Sequence, residues 1–326
     1  MAASRSVSIT YVPSDCGSVI PGKSKAPQAL RDAGIVKTLR DAGVPNVSEV
    51  DALDSPAKYS LAPFSIGSVR NEELNIAVCQ SVRRAISQNM MASSSDQPPF
   101  QLIIGGECSI SPPILSSFWE YAASQSPPKR VGFIYIDADT DLASPNDPNS
   151  TGNLAGMNTT HLIGRPDGLE AMRQFSRPSG EAVCDSGNMV LFGINMAFPG
   201  NKPEHFAYLF DNEYTVISSA SVALSPEESA RKALRRLEEN TDIIMVHLDV
   251  DSIDPSLFPL ANLPNFTGVK FEQMMAALGV FLASDKVAGL TIAEVNPDHD
   301  PGLGMVERLS GEIVRMLASR GLPTND

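Results

Sequence analysis

Six short apolar runs recur along the chain, and segments with helical periodicity separate them. The runs span residues 6–12, 100–104, 130–136, 189–193, 243–248 and 288–293. Several are apolar throughout, which is typical of parallel strands that are covered on both faces. The alternation of strands and helices predicts βαβ units, so we expect one α/β domain over residues 1–326 with a largely parallel sheet.

The helices between these runs are predicted from apolar spacing and from capping residues. They span residues 26–42, 71–92, 225–240, 271–284 and 305–320. In the third helix, Ser225 is the expected N-cap, Pro226 takes the first helical position and Glu228 would complete a capping box. The last two helices are amphipathic, as expected for helices that pack on a sheet.

Charge, hydropathy and cysteine content exclude several classes of protein. The net charge is −13 at pH 7 and the isoelectric point is about 4.8, so no nucleic-acid partner is expected. No apolar run approaches the roughly 18–20 residues of a membrane span, so no membrane partner is expected. The four cysteines are scattered without a CxxC pair, and the start of the chain lacks the apolar stretch of a signal peptide. We therefore expect a cytoplasmic protein.

Polar motifs directly follow four of the predicted strands. They are GGECS at 105–109, DADTD at 137–141, DVDSIDP at 249–255 and EVNP at 294–297. In open α/β sheets, ligands bind outside the carboxyl ends of the strands. The four motifs are therefore expected to converge on one edge of the sheet.

The two aspartate motifs indicate a metal site. In an extended segment, the aspartates of each motif would share one face. Those residues are Asp137, Asp139, Asp141, Asp249 and Asp251. Crowded carboxylates repel one another unless a cation neutralises them, and oxygen ligands suit Mn²⁺, Mg²⁺ or Ca²⁺. Asp-X-Asp sequences are also common turn formers, but two of them directly after buried strands favour metal binding.

The order and spacing of these motifs resemble the ureohydrolases, the family of arginase, agmatinase and formimidoylglutamase. The segments GKSKAP at 22–27 and TGNL at 151–154 are similar to further parts of the family pattern. The resemblance implies a single α/β domain with a mainly parallel sheet of about eight strands and helices on both faces. It also implies hydrolysis of a guanidinium-type carbon in a small-molecule substrate by two Mn²⁺ ions, in a homotrimer or hexamer.

The resemblance also implies a set of metal ligands. They are Cys108, Asp137, Asp139, Asp141, Asp249 and Asp251. The family has histidine at the positions of Cys108 and Asp139, so the ionised set carries two more negative charges here. This surplus has one of three consequences. It disfavours a metal-bound hydroxide at neutral pH, it keeps Cys108 protonated, or it limits the site to a single ion. One or two Mn²⁺ ions are expected, or Zn²⁺ or another divalent ion because of Cys108.

Substrate contacts are implied at five further positions, and some of them depart from arginase. They are Thr151, Asn153, Phe198, Asn201 and Glu294. Glu294 corresponds to the family's guanidinium-binding carboxylate. Phe198 and Asn201 stand where arginase supplies acids for an α-amino group, and Ala155 replaces its proton-relay histidine. These changes predict a protein that is not a true L-arginase.

Three single residues have more than one interpretation. Cys108 is a metal ligand, a nucleophile or a small buried thiol. His299 follows Glu294 by five residues and is either a proton shuttle or a solvated loop residue. His247 precedes Asp249 within a strand, which favours a core or supporting role over direct ligation. The candidate catalytic residues are Asp141, Glu294 and His299.

Three functions agree with these observations. The first is a metal-dependent hydrolase of a linear C–N bond in a guanidino, amidino or ureido compound. The second is a non-catalytic or single-metal protein of the same family. The third is an enzyme of a different reaction class on the same fold. The metal content of the purified protein distinguishes the first two functions.

Overall fold

Eight parallel strands form one sheet in a computed structural model that describes residues 6–92 and 98–320. The strands are β1 (Ser6–Tyr11), β2 (Asn46–Asp51), β3 (Phe100–Ile104), β4 (Val131–Ile136), β5 (Met189–Ile194), β6 (Thr215–Ser218), β7 (Ile243–Asp249) and β8 (Val287–Ala293). Their order in the sheet is β2-β1-β3-β8-β7-β4-β5-β6, and all neighbouring pairs are parallel. The predicted single α/β domain with a parallel sheet is confirmed.

Helices cover the sheet on both faces. They are α1 (Ala26–Asp32), α2 (Ile35–Asp41), α3 (Glu72–Met91), α4 (Ser111–Ser124), α5 (Asn158–Leu162), α6 (Pro203–Asp211), α7 (Ser219–Leu224), α8 (Pro226–Glu238), α9 (Phe271–Ala283) and α10 (Gly304–Ser319). One core packs the sheet against α1, α2 and α7–α10, and a second core packs it against α3, α4 and α6. None of the helices within the described ranges is long and apolar enough to cross a membrane.

The alternation of side chains along β7 decides which residues face each core. Val246 and Leu248 belong to the core with α9, whereas Ile243 and Met245 belong to the core with α4. Because side chains alternate along a strand, His247 and Asp249 lie on the same side as Met245. The strand thus places two polar side chains at its carboxyl end on the α4 side.

The six inner strands agree with their predicted positions, whereas the two edge strands do not follow from the apolar pattern. In β2, no residue is buried, and in β6 only Ile217 is buried. Edge strands pair on one side only and face solvent, so they lack the continuous apolar run of an inner strand. The apolar pattern alone therefore does not reveal the eight strands of the sheet, which the family resemblance implies.

Two helix predictions need correction. The helix predicted at 26–42 is two helices, α1 and α2, because Gly34 adopts a left-handed conformation with φ of 72° and starts a new helix. The side chain of Ser225 makes no capping hydrogen bond, so the predicted capping box with Glu228 is absent, although Pro226 does begin α8. Residues 1–5 and 321–326 lie outside the described ranges, so the domain limits of 1–326 stay a prediction.

Gly106 permits the close approach of two loops at the carboxyl edge of the sheet. A Cβ atom on Gly106 would lie 1.4 Å from the carbonyl oxygen of Ser14. That same carbonyl accepts the N–H of Glu107 at 3.2 Å. A side chain at position 106 would therefore force the loop after β1 away from the loop after β3.

Replacing Gly106 by alanine should destabilise the protein by at least about 1–3 kcal/mol, because the added methyl group overlaps backbone that has little room to move. Gly279→Ala is the matched control, since position 279 lies within α9 and its Cβ would meet nothing within 4 Å. Alanine there should stabilise by about 0.5–1 kcal/mol. Urea unfolding measures both changes, and equal midpoints for the two variants would contradict the packing described here.

Candidate active site

The four polar motifs lie at the carboxyl ends of four strands that are neighbours in the sheet. Strands β3, β8, β7 and β4 are consecutive in the sheet order. They lead into residues 105–109, 294–297, 249–255 and 137–141, respectively. Strands β7 and β8 insert between β3 and β4, so motifs that are distant in sequence meet at one edge. The expected convergence of the motifs is confirmed.

Residues 137–141 form a turn after β4 instead of continuing the strand. Asp137 Oδ1 accepts the backbone N–H of Asp139 at 2.6 Å, and Asp141 has a positive φ of 46°. Aspartate favours such turns because its side chain can bond the backbone two residues further on. The prediction that an extended segment aligns these aspartates is therefore wrong. The turn itself keeps the three carboxylates close enough to raise one another's pKa.

Hydrogen bonds join the second aspartate motif to the first. Asp249 is the last residue of β7, and its Oδ1 accepts the N–H of Asp251 at 2.8 Å. Asp251 Oδ1 in turn accepts the N–H of Ala138 at 3.2 Å, which links the loops after β7 and β4. Asn265 donates to the other oxygen of Asp251 at 3.3 Å. The backbone thus fixes the positions of the carboxylates at this edge.

These carboxyl groups are removed from water. Asp137, Asp249 and Asp251 are 1%, 2% and 6% exposed. Burial, together with neighbouring carboxylates, raises the pKa of Asp139 to about 9, of Asp141 to about 7 and of Asp251 to about 6. The same causes raise the pKa of Asp137 and of Asp249 well above the usual range. Such groups ionise together only beside a cation.

Unpaired polar atoms show that a divalent ion fits this cluster. Among the described residues, Asp137 Oδ2, Asp139 Oδ1 and His247 Nε2 are buried and have no hydrogen-bond partner. Ligand atoms of Asp137, His247 and Asp249 all lie within 4.8 Å of one another. Carboxylate oxygens suit Mn²⁺ and Mg²⁺, and an imidazole nitrogen extends the choice to other transition metals. The residues present therefore fit the metal that the sequence predicts.

Cys108 lies beside the same cluster as a buried thiol. Its Sγ is 3.6 Å from Asp141 Oδ2 and 3.6 Å from the carbonyl oxygen of Ala155. Burial and the surrounding carboxylates raise the pKa of the thiol well above its usual value, which disfavours a nucleophilic role. The ligand atoms of Cys108, Asp249 and Glu294 lie within 4.8 Å of one another, so a metal that displaces the thiol proton can bind there.

Tyr135 is a site residue that the sequence interpretation missed. Its hydroxyl donates to Asp141 Oδ2 at 2.5 Å and accepts from Asn158 Nδ2 at 3.1 Å. The ring stacks on His247 with centroids 5.0 Å apart, across the paired strands β4 and β7. A signal was present, because Tyr135 precedes Asp137 by two residues and strand alternation places both on one side. Tyr135 fixes the direction of the Asp141 carboxylate.

Glu294 is engaged by two donors from the chain itself. Its Oε2 lies 3.0 Å from Lys23 Nζ, and its Oε1 accepts the N–H of Cys108 at 3.2 Å. Lys23 is only 2% exposed. Burial lowers the pKa of Lys23, but the attraction of Glu294 outweighs it and raises the pKa, so the amine is charged. A guanidinium group would have to displace this ammonium to reach Glu294.

The loop that carries Lys23 is held by a buried aspartate. Asp15 Oδ2 accepts the N–H of Gly22 at 3.0 Å, the N–H of Ser24 at 3.3 Å and the Ser24 hydroxyl at 2.8 Å. Although burial raises the pKa of Asp15, these hydrogen bonds and one from Tyr59 N–H lower it overall. Lys23 also donates to the Ser18 hydroxyl. The ammonium therefore has a fixed place, which no spacing in the sequence indicates.

The predicted substrate contacts fall into different environments. Thr151 is exposed and Phe198 is half-buried, whereas Asn153 is 8% exposed with an unpaired Oδ1. Asn201 instead braces the first aspartate turn: its Oδ1 accepts the N–H of Thr140 at 2.8 Å, and its Nδ2 donates to the Ala138 carbonyl at 2.9 Å. The structure thus shows Asn201 bracing this turn, and its substrate contact stays a prediction.

His299 lies in an exposed turn after β8. Its Nδ1 donates to the carbonyl oxygen of Pro259 at 3.1 Å, and its Nε2 is 3.4 Å from the amide nitrogen of Asn296. Both ring nitrogens therefore hold the loop that follows Glu294. This arrangement matches the solvated-loop interpretation more closely than that of a proton shuttle.

Comparisons with known proteins agree with this architecture. The chain matches the model of the arginase family over residues 5–319. Arginase of Bacillus caldovelox is 24% identical over 302 residues, which cover 90% of this chain and 92% of the relative. Arginase of Agrobacterium fabrum is 24% identical over 316 residues, which cover 96% and 90% of the two chains.

Solved structures show the same fold. The structure of Bacillus caldovelox arginase superposes with a TM-score of 0.81 at 21% identity and covers 99% of this chain and 100% of its own. Proclavaminate amidino hydrolase from Streptomyces clavuligerus superposes with a TM-score of 0.69 at 21% identity, over 97% and 92% of the two chains.

An eight-stranded parallel sheet with two aspartate motifs at its carboxyl edge defines the ureohydrolase class of fold. The chain belongs to the arginase family of hydrolases, as the match over residues 5–319 shows. The resemblance inferred from the motifs is therefore confirmed.

Protein treated with a chelator should lose stability as the pH rises from about 5 to about 9. Asp251, Asp141 and Asp139 have pKa values of about 6, 7 and 9 in the folded chain, whereas aspartate has about 3.9 when unfolded. The folded chain therefore holds more protons, and each group lowers the free energy of unfolding by roughly 1.4 kcal/mol per pH unit until the pH passes that group's own folded pKa. Urea unfolding in EDTA at several pH values measures this slope.

Mn²⁺ should reverse the trend, because it binds the ionised carboxylates. The gain in melting temperature on adding Mn²⁺ should be larger at about pH 8 than at about pH 5.5. Asp249→Asn removes one acid and should flatten the slope measured in EDTA. A chelated wild-type protein whose stability is constant or rises over this range would contradict the coupling of these carboxyl groups.

Proposed function

We propose that this protein is a metal-dependent hydrolase of a linear C–N bond in a guanidino, amidino or ureido compound, and that L-arginine is not its substrate. The observation that carries the proposal is the group of buried carboxylates with unpaired oxygens at the carboxyl edge of the sheet. The formimidoylglutamase and amidino hydrolase among its structural neighbours support a substrate of this class. A small-molecule substrate, a cytoplasmic location and a homotrimer or hexamer are further parts of the proposal.

Six side chains are proposed to hold one or two divalent ions. They are Cys108, Asp137, Asp139, Asp141, Asp249 and Asp251. The five carboxylates favour Mn²⁺, and the thiol makes Zn²⁺ or another divalent ion the alternative. A divalent ion supplies a nucleophile near neutral pH by lowering the pKa of a bound water. The Tyr135 hydroxyl orients Asp141 through a hydrogen bond of 2.5 Å. Asp141 would accept or hold a proton next to that water.

The residues at the positions where the family resemblance places a substrate's α-amino group argue against a free α-amino acid. Phe198 is half-buried and carries no charge, and the side-chain amide of Asn201 is hydrogen-bonded to the backbone of Thr140 and Ala138. An α-ammonium group would lose charge-assisted hydrogen bonds worth roughly 1.5–3 kcal/mol each. Asn153 retains one unpaired buried oxygen, which suits a donor on the substrate such as an amide or ureido N–H.

The ion pair of Lys23 and Glu294 favours a second candidate, a single-metal or non-catalytic member of the family. Glu294 has no oxygen free of a donor from the chain, since Lys23 lies 3.0 Å from Oε2 and Cys108 N–H 3.2 Å from Oε1. The ammonium supplies one positive charge next to the carboxylate cluster. It can therefore stand in for part of the charge of a second ion.

A substrate panel tests the main proposal. Mn²⁺-loaded protein should release urea or ammonia from a guanidino acid, an agmatine-like amine or an N-carbamoyl compound at least about 30-fold faster, in kcat/KM, than from L-arginine. The reason is that Phe198 and Asn201 offer no carboxylate to the α-ammonium group of L-arginine. Asp249→Ala should abolish all release. Turnover of L-arginine with kcat/KM near 10⁴ M⁻¹s⁻¹, an ordinary enzyme's value, would refute the proposal, and turnover of none of these compounds would favour the second candidate.

Lysine substitutions test the second candidate. Lys23→Met removes a buried positive charge beside the cluster and should raise the affinity for Mn²⁺ about tenfold, equivalent to ~1.4 kcal/mol of relieved repulsion. Lys25→Met is the matched control, since Lys25 is exposed and pairs with Asp298 at 2.6 Å. Titration calorimetry gives both affinities. If the two variants bind Mn²⁺ equally well, Lys23 does not act as a built-in cation.

A further inference from the structure

The imidazole ring of His247 is buried, where each polar ring nitrogen needs a hydrogen-bond partner or a metal ion. His247 is 0% exposed on β7, two residues before Asp249, and its ring stacks on Tyr135. Complete burial favours the neutral form of an imidazole. Nε2 has no hydrogen-bond partner among the described residues. A buried imidazole with one unpaired nitrogen is costly unless something binds that nitrogen.

The hydrogen bonds around Ser111 determine which nitrogen carries the proton. Ser111 Oγ lies 3.0 Å from the carbonyl oxygen of Cys108 and 3.2 Å from His247 Nδ1. A carbonyl only accepts, so the single hydroxyl proton of Ser111 is donated to Cys108. Ser111 must therefore accept from Nδ1–H of His247. The neutral ring then has a lone pair on Nε2.

A ring nitrogen of His247 lies near acceptors of the same kind, and Nε2 is the one without a partner. The ligand atoms of His247, Asp137 and Asp249 are within 4.8 Å of one another, and Asp137 Oδ2 is itself unpaired. Ionised carboxylates and an imidazole lone pair repel each other unless a cation lies between them. One nitrogen and two oxygens at such distances form the donor set of a transition metal ion.

We propose that His247 Nε2 is a ligand of the divalent ion, together with Asp137 and Asp249. This inference rests on the proposed metal-dependent function and adds a ligand to the six-residue set. It returns an imidazole to a site in which Cys108 and Asp139 replace the two histidines that the family resemblance implies. Ser111 fixes the tautomer, and the Tyr135 ring fixes the orientation of the imidazole.

Electron spin-echo spectroscopy of Mn²⁺-loaded protein tests the assignment, because it detects a nitrogen bonded to the metal without any assay of activity. The wild-type protein should show ¹⁴N modulation that changes when the histidines are labelled with ¹⁵N. His247→Gln should lose this modulation and bind Mn²⁺ at least about tenfold more weakly. His299→Gln, which alters an exposed histidine held by Pro259 and Asn296, should retain both.

The outcomes separate this inference from the proposed function. Bound Mn²⁺ without nitrogen modulation in the wild-type protein would overturn the role of His247 and leave the proposed function standing. No binding of Mn²⁺, Zn²⁺ or Co²⁺ by the wild-type protein would overturn both. Absence of nitrogen modulation in the wild-type spectrum is decisive by itself, so the inference can be overturned even where the His247→Gln variant does not fold.

Discussion

The candidate site depends on the cost of holding several carboxylates together away from water. The sheet order imposes this crowding, because β8 and β7 insert between β3 and β4 and bring four motifs to one edge. Hydrogen bonds from backbone N–H groups to Asp137, Asp249 and Asp251 fix the carboxylates but leave their charge unbalanced. The proposed cation would balance this charge, and the unpaired oxygen of Asp137 marks the place proposed for it.

Two replacements that the family resemblance implies, and two further buried groups, set the charge and ligand type of this edge. Cys108 and Asp139 replace neutral imidazoles, which adds negative charge when both are ionised. Lys23 places a buried positive charge 3.0 Å from Glu294. His247 places a ring nitrogen within 4.8 Å of ligand atoms of Asp137 and Asp249. These side chains suit a metal, while the Lys23 ammonium competes with any substrate cation for Glu294.

Sequence patterns predicted what depends on local chemistry and missed what depends on long-range contacts. The inner strands are almost wholly buried and are predicted from their apolar residues, whereas the edge strands β2 and β6 have at most one buried residue each and carry no such signal. The aspartate motifs were identified because they directly follow strands, but their turn geometry, with Asp141 at positive φ, differs from the extended segment expected. The pairing of Lys23 with Glu294 joins the two ends of the chain, so no local pattern reveals it. Tyr135 could have been predicted from the sequence, because strand alternation places its side chain on the same side as that of Asp137.

Anomalous diffraction at the manganese edge, from crystals grown with Mn²⁺, shows whether a divalent ion balances the carboxylates, because it locates the ion without assuming an activity. We expect an anomalous peak between Asp137, His247 and Asp249, within about 2.0–2.3 Å of their ligand atoms. The absence of any peak at this edge of the sheet, in crystals saturated with Mn²⁺ at about pH 8, would contradict the claim that a divalent ion balances the carboxylates.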